Sequence, residues 1–282
     1  MEIVCDASEL TAVFGAQAPD TFVLAGYAIP STQVGPLIRC AEEIKRELLG
    51  NSNVPIKWNV RDLTRALELH GLSELLPQIR EHSKEVRKAL LDSLCQSGAT
   101  LFLSVILAYS NRRQVLGRSK ADLVRYSFGN FLMRAGLLCK ETGPADVQLI
   151  VDWPDKGEPR LFIEEFYSGW KDGKSVTVDQ SIEYRCGPLS SLGFRPGLLF
   201  GVTDIDVRLQ LADLLVGACR SFIDYCMDCG RKEDFGVQQF KAIAPCLDRA
   251  DGWKCFGRGI TVAPAKSHFS EVIFKGFNAL GC

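Results

Sequence analysis

VTDIDVRLQLADLLVGACRSF, residues 202–222, carries the pattern on which the fold turns. An apolar approach (Leu198, Leu199, Phe200, Val202) reads as a strand that ends near Asp204 and Asp206. The period then changes to 3.6, with Leu211, Ala212, Leu215, Ala218, Cys219 and Phe222 on one side of a helix and Gln210, Asp213, Gly217 and Arg220 on the other. Asp213 stands between leucines, and a carboxylate in such a setting must be paired, hydrogen-bonded or bound to a cation. A helix cap or a pairing with Arg220 would satisfy it; so would a metal ion. Gly217 lies one turn further on, where the missing side chain lets another backbone or a ligand approach closely.

The remainder of the chain sets the limits of that reading. At 282 residues, 46% apolar and 24% charged, it can bury a substantial core without disulfides. A net charge of -1 offers no global case for nucleic-acid binding, so any basic patch has to be local. The start, MEIVCDASEL, is acidic and too short in apolar length for a signal peptide, and no apolar run approaches the roughly 20 residues of a membrane span. Eleven cysteines, an odd number set mostly among apolar residues, predict a reduced, cytoplasmic protein.

Upstream, Glu2–Asp6 and Thr21–Ile29 read as two strands, an antiparallel pair in which Gly26 marks a bulge or a close backbone approach. Residues 33–49 have helical spacing, VPIKWNVRD brings Lys57, Trp58 and Arg61, and helical patterns follow at 62–70 and 73–96. ATLFLSVILAY, residues 99–109, is apolar on both sides, as a central strand would be. Arg112, Arg113, Arg118 and Lys120 cluster after it, at a strand's carboxyl end, where open α/β sheets usually hold ligands. A helix from about Lys120 to Leu138, a strand at 146–153 ending near Asp152, a helix from Pro159 to about Trp170 and a strand near Val176–Ile182 complete the approach to residue 199. Beyond Asp224 the pattern loosens. Cys226 and Cys229 have C-x-x-C spacing, but eight residues separate Cys246 from Cys255, a poor fit to zinc, so free thiols without disulfide or zinc are expected.

The succession of Asp6-x-Ser8, an apolar second strand ending in Pro30, Lys57 after the first helix, a strand ending in Asp152 and the Gln210-Leu211-Ala212-Asp213 helix with Gly217 resembles the family known as domain of unknown function 3800. That resemblance spans about Ile3 to Arg220. It implies an α/β fold, an RNase H-like mixed central sheet flanked by helices, with residues 1–224 as the domain, a helical insertion at about 61–96, and residues 225–282 as an extension packed on it. Where the family has Asp-Glu-Ser-Gly, this chain has Asp6-Ala7-Ser8-Glu9, so the second acid is lost or displaced.

The resemblance also implies that Asp6, Asp152, Asp206 and Asp213 gather at one sheet edge as metal ligands and catalytic groups. Clustered carboxylates suit Mg²⁺ or Mn²⁺, and two such ions can activate a water and stabilise the leaving oxygen of a phosphodiester. Lys57, Arg112, Arg113, Arg118 and Gln210 would then contact substrate. His70, His82 and His268 are the only histidines, and P-loop and dinucleotide glycine motifs are absent. The expectation is a metal-dependent nuclease acting on DNA or RNA. Its alternative is a catalytically inactive RNase H-like protein that binds nucleic acid or a protein partner.

Overall fold

Runs of period 2 divide the strand residues between two cores on opposite faces of one sheet. The computed structural model describes residues 1–8, 20–108, 120–144, 146–154, 159–176, 182–228, 232–249 and 255–282. Its strands are β1 (Glu2–Ala7), β2 (Asp20–Ile29), β3 (Thr100–Ala108), β4 (Val147–Asp152), β5 (Phe194–Gly201) and β6 (Ile260–Ala263), in the order β5-β4-β1-β2-β3-β6. β2 runs antiparallel to both β1 and β3, while β4 is parallel to β1, β5 to β4 and β6 to β3. Val4, Val23, Ala25, Leu103 and Val105 face one core; Ile3, Cys5, Phe22, Leu24 and Phe102 face the other.

The first core is covered by α1 (Ser31–Leu49), α2 (Val60–Leu69), α3 (Leu76–Gln96), α6 (Val207–Met227), α7 (Phe235–Ile243) and α8 (His268–Ala279). The second lies under α4 (Lys120–Thr142) and α5 (Pro159–Asp172). α6 packs on β1 and β2 and is itself covered by α3, α7 and α8, which explains why Leu209–Ala212 and Leu214–Cys219 are buried around the whole helix. Phe222 anchors this layer, stacked on Phe240 and edge-on to Phe277; burying each such ring contributes roughly 1.5–3 kcal/mol.

The close approach expected at Gly26 is present: it pairs with Cys5, and a Cβ there would overlap the Val4 carbonyl. The strand after Gly98 is interior, with β2 on one side and β6 on the other. The tail is more ordered than its pattern indicates. It contributes both β6, in register with Leu103–Ile106, and α8, which a Ser267–Ser270 capping box starts. Its strand signal is weak because β6 is only four residues long and gains its hydrogen bonds from β3. Among the described residues no helix is long and apolar enough to cross a membrane.

Candidate functional site at the strand ends

β1 and β4 are parallel neighbours, so Asp6 and Asp152 emerge at the same end of the sheet. By the pleat, Asp6 shares the face of Val4 and Asp152 that of Ile150, the face on which α6 lies. The second turn of α6 brings Asp213 to the same place. The three carboxyl groups sense one another: the charge of Asp152 disfavours ionisation of both Asp6 and Asp213, and Asp213 acts likewise on Asp6.

Each of these acids has its own protein donor. Asp6 Oδ1 accepts the Ala7 N–H at 2.6 Å, Asp152 Oδ1 the Thr203 N–H at 3.0 Å, and Asp213 Oδ2 the Trp58 N–H at 2.5 Å. Desolvation is the largest effect on all three and raises their pKa: Asp6 well above the usual carboxylate range, Asp152 upward, and Asp213 to about 6. Lys57 opposes that rise. Burial works against its charge, but the bond to Asp204 and the charges of Asp213 and Asp152 outweigh it and raise its pKa.

Asp213 therefore neither caps its helix nor pairs with Arg220. It holds the Lys57–Trp58 segment, 155 residues away in sequence. From the other side, Arg87 Nη2 donates to the Lys57 carbonyl at 2.8 Å and to the Trp58 carbonyl at 2.9 Å, and its guanidinium lies over the indole. The indole stacks on Phe235 and fills the space above Gly217, where a Cβ would overlap it. The approach allowed by Gly217 is thus made by Trp58.

Asp206 stands apart from the three acids. It N-caps α6 by accepting the Arg208 N–H at 2.9 Å, and Arg208 returns its guanidinium to both Asp206 oxygens and to Glu2. Asp204 pairs with Lys57 at 2.9 Å and has His70 at 3.9 Å. Gln210 is 2% exposed. It accepts from Lys45 Nζ at 3.2 Å, and that buried lysine also reaches the Val54 carbonyl at 3.1 Å. Arg112, Arg113 and Arg118 lie outside the described residues, as does Cys229.

These geometries correct the chemistry expected from the sequence. Among the described residues, no group of three or more His, Cys, Asp or Glu side chains is arranged to hold a metal ion. Asp6, Asp152, Asp206 and Asp213 are therefore not a ligand set for Mg²⁺ or Mn²⁺, and the metal-dependent nuclease that rested on such a set is overturned. The physical reason is that backbone donors, Lys57 and Arg208 occupy the carboxylates. Crowding among Asp6, Asp152 and Asp213 is relieved by raised proton affinity and one lysine. Of the downstream thiols, Cys226 is buried against Gly276 and Cys255 is fully buried, while Cys246 is half-buried at the end of the 3₁₀ turn after α7.

No family model, curated protein or solved structure matches the chain. Three side chains central to this site carried little sequence signal. Trp58 and Arg87 lie in segments that read as a connection and a solvated helix face, and Lys45 reads as an outward charge on α1. Only Gly217, a glycine inside an otherwise strong helix, marked where something had to fit.

Proposed function

We propose that this chain is a catalytically inactive protein of RNase H-like architecture that docks a protein partner at the carboxyl ends of β4 and β5. The RNase H-like reading is supported by three antiparallel strands in sequence order, followed by β4 and β5 parallel to β1. Inactivity is supported by the engagement of the strand-end acids with the chain's own donors.

The observation that carries the docking reading is an apolar corner beside those acids. Trp153 is 51% exposed, Val202 48% and Ile205 71%. They lie on neighbouring backbone: the Trp153 ring packs edge-on to Phe200, the Trp153 backbone N–H donates to the Gly201 carbonyl, and the Ile205 backbone N–H donates to the Val202 carbonyl. Exposed apolar side chains grouped with a tryptophan are typical of protein interfaces. The adjoining charges, Lys57 with Asp204 and Arg208 with Asp206, are already paired, which favours an apolar protein segment over a phosphate backbone.

A displayed library of short peptides selected on the full chain tests this. Peptides with apolar anchors should be enriched, and Ile205→Asp or Trp153→Ser should weaken them by at least tenfold, on the order of 1.4 kcal/mol. Salt-sensitive binding of DNA or RNA that neither substitution alters would sink the reading. Self-association abolished by Ile205→Asp would reassign the corner to a second copy of the chain.

A further inference from the structure

β5 is an edge strand, and among the described residues no strand pairs with its outer side. The opposite edge, β6, is only four residues long, whereas β5 has eight. A long open edge is a template for the addition of another strand. The Trp153 N–H donates to the Gly201 carbonyl at 2.9 Å, so Gly201 and, by the pleat, Leu199 turn their main-chain groups toward β4. Leu198 and Phe200 turn theirs outward.

Two features limit what fits there. Pro196 has no N–H to give. At the other end the Val202 carbonyl already accepts the Ile205 N–H at 3.1 Å and the Asp206 N–H at 3.0 Å. A second β5, turned antiparallel about a twofold axis at Leu199, answers both, because the end without a donor then meets the end whose acceptor is engaged. Leu198 of one copy faces Phe200 of the other, and each such pair exchanges two main-chain bonds. Charge follows the same direction: the Arg195 end of one copy lies beside the Asp204 and Asp206 end of the other. Leu199, 51% exposed, meets its own counterpart on the axis.

We propose that the chain forms a twofold dimer by antiparallel pairing of β5 with β5 of a second copy, which joins the two sheets into one. A specific interface buries roughly 1,200 Å² or more, beyond what the paired main chains provide. α5 adds to it. The helix packs on β5, Tyr167 stacks on Trp170, and the Trp170 side-chain N–H donates to the Phe194 carbonyl at 2.9 Å, so Ile163 and Tyr167, both half-exposed, border the same edge. Trp153 and Ile205 lie outside β5, and the dimer does not depend on the partner docking proposed above.

Sedimentation velocity of the full chain over about 1–100 µM tests this, and the parent should sediment as a dimer. Facing residues at a non-hydrogen-bonded antiparallel position have Cα atoms about 4.5 Å apart, close enough for a disulfide. Leu199→Cys, in a Cys40→Ser background that removes the exposed native thiol, should therefore oxidise to a dimer linked through residue 199, as read by peptide mapping. Leu199→Lys sets like charges opposite each other and should weaken the dimer by about tenfold or more, while the circular dichroism spectrum stays that of the parent. Mixing that variant with Leu199→Glu should restore association. A monomer throughout the concentration range would overturn the proposal, and so would a dimer that Leu199→Lys leaves intact.

Discussion

Asp213 on α6 and Glu165 on α5 are carboxylates set in apolar helices on opposite faces of the sheet, and the protein accommodates them differently. Glu165 is 0% exposed. One of its oxygens accepts the Tyr184 hydroxyl at 3.0 Å and the other the Val176 N–H at 2.8 Å. Asp213 has one backbone donor and two acidic neighbours. Each acid's surroundings use a helix glycine: Gly129 on α4 leaves room for Glu165 itself, whereas Gly217 leaves room for the tryptophan whose backbone Asp213 holds. A solitary buried acid needs only donors. Burial raises the proton affinity of both acids, and at Asp213 the charge of Asp152 adds to it.

The largest effect expected is that of Gly217→Ala. The added methyl overlaps the Trp58 ring and must displace it, loosening the Asp213 and Arg87 bonds together. Overpacking of this kind should cost about 3 kcal/mol, more than the helix propensity regained, and a urea melt measures it. A midpoint equal to that of the parent would show that Trp58 does not depend on Gly217.

Glu165→Ala should cost about 2 kcal/mol, because the Tyr184 hydroxyl and the Val176 N–H lose their acceptor inside the protein. Near-neutral behaviour in the same melt would mean that these donors find other acceptors, and the contrast between the two acids would weaken.

The smallest effect concerns the charge state of Asp213. Because the folded-state pKa of Asp213 is raised to about 6, the unfolded chain loses this proton first as pH rises. The native state then holds more protons between about pH 4 and 6, so this group's contribution to stability falls as pH rises through that window. Asp213→Asn should flatten that fall and, at pH 8, raise stability by about 1 kcal/mol after allowance for screening. Unfolding free energies measured across pH that are parallel for parent and variant would show that the folded protein does not raise the proton affinity of Asp213.

Much of the architecture was legible in the residues. Alternation marked β1, β2, β3 and β4, the 3.6 period marked α1 and α6, and Asp6 and Asp152 stood at strand ends. Period assigns a residue to a face, but strand order, which no local pattern carries, brings Asp6, Asp152 and Asp213 together and leaves Asp206 with Arg208. The function inferred from that gathering was not legible either. Chelation depends on distances and directions of a fraction of an ångström, and on which donors arrive first.

Local pattern marked β1 to β4, α1 and α6, required a partner for Asp213 and kept space open at Gly217, but left α7, β6 and α8 unassigned. Only the tertiary structure decided that the partner is the Trp58 N–H, that Trp58 occupies the space, that Asp206 belongs to Arg208, and that Glu165 is wholly buried. The reason is physical. Hydrophobic period is local and repeats within a few residues, whereas a hydrogen-bond partner 155 residues away is selected by packing, to which no local pattern answers.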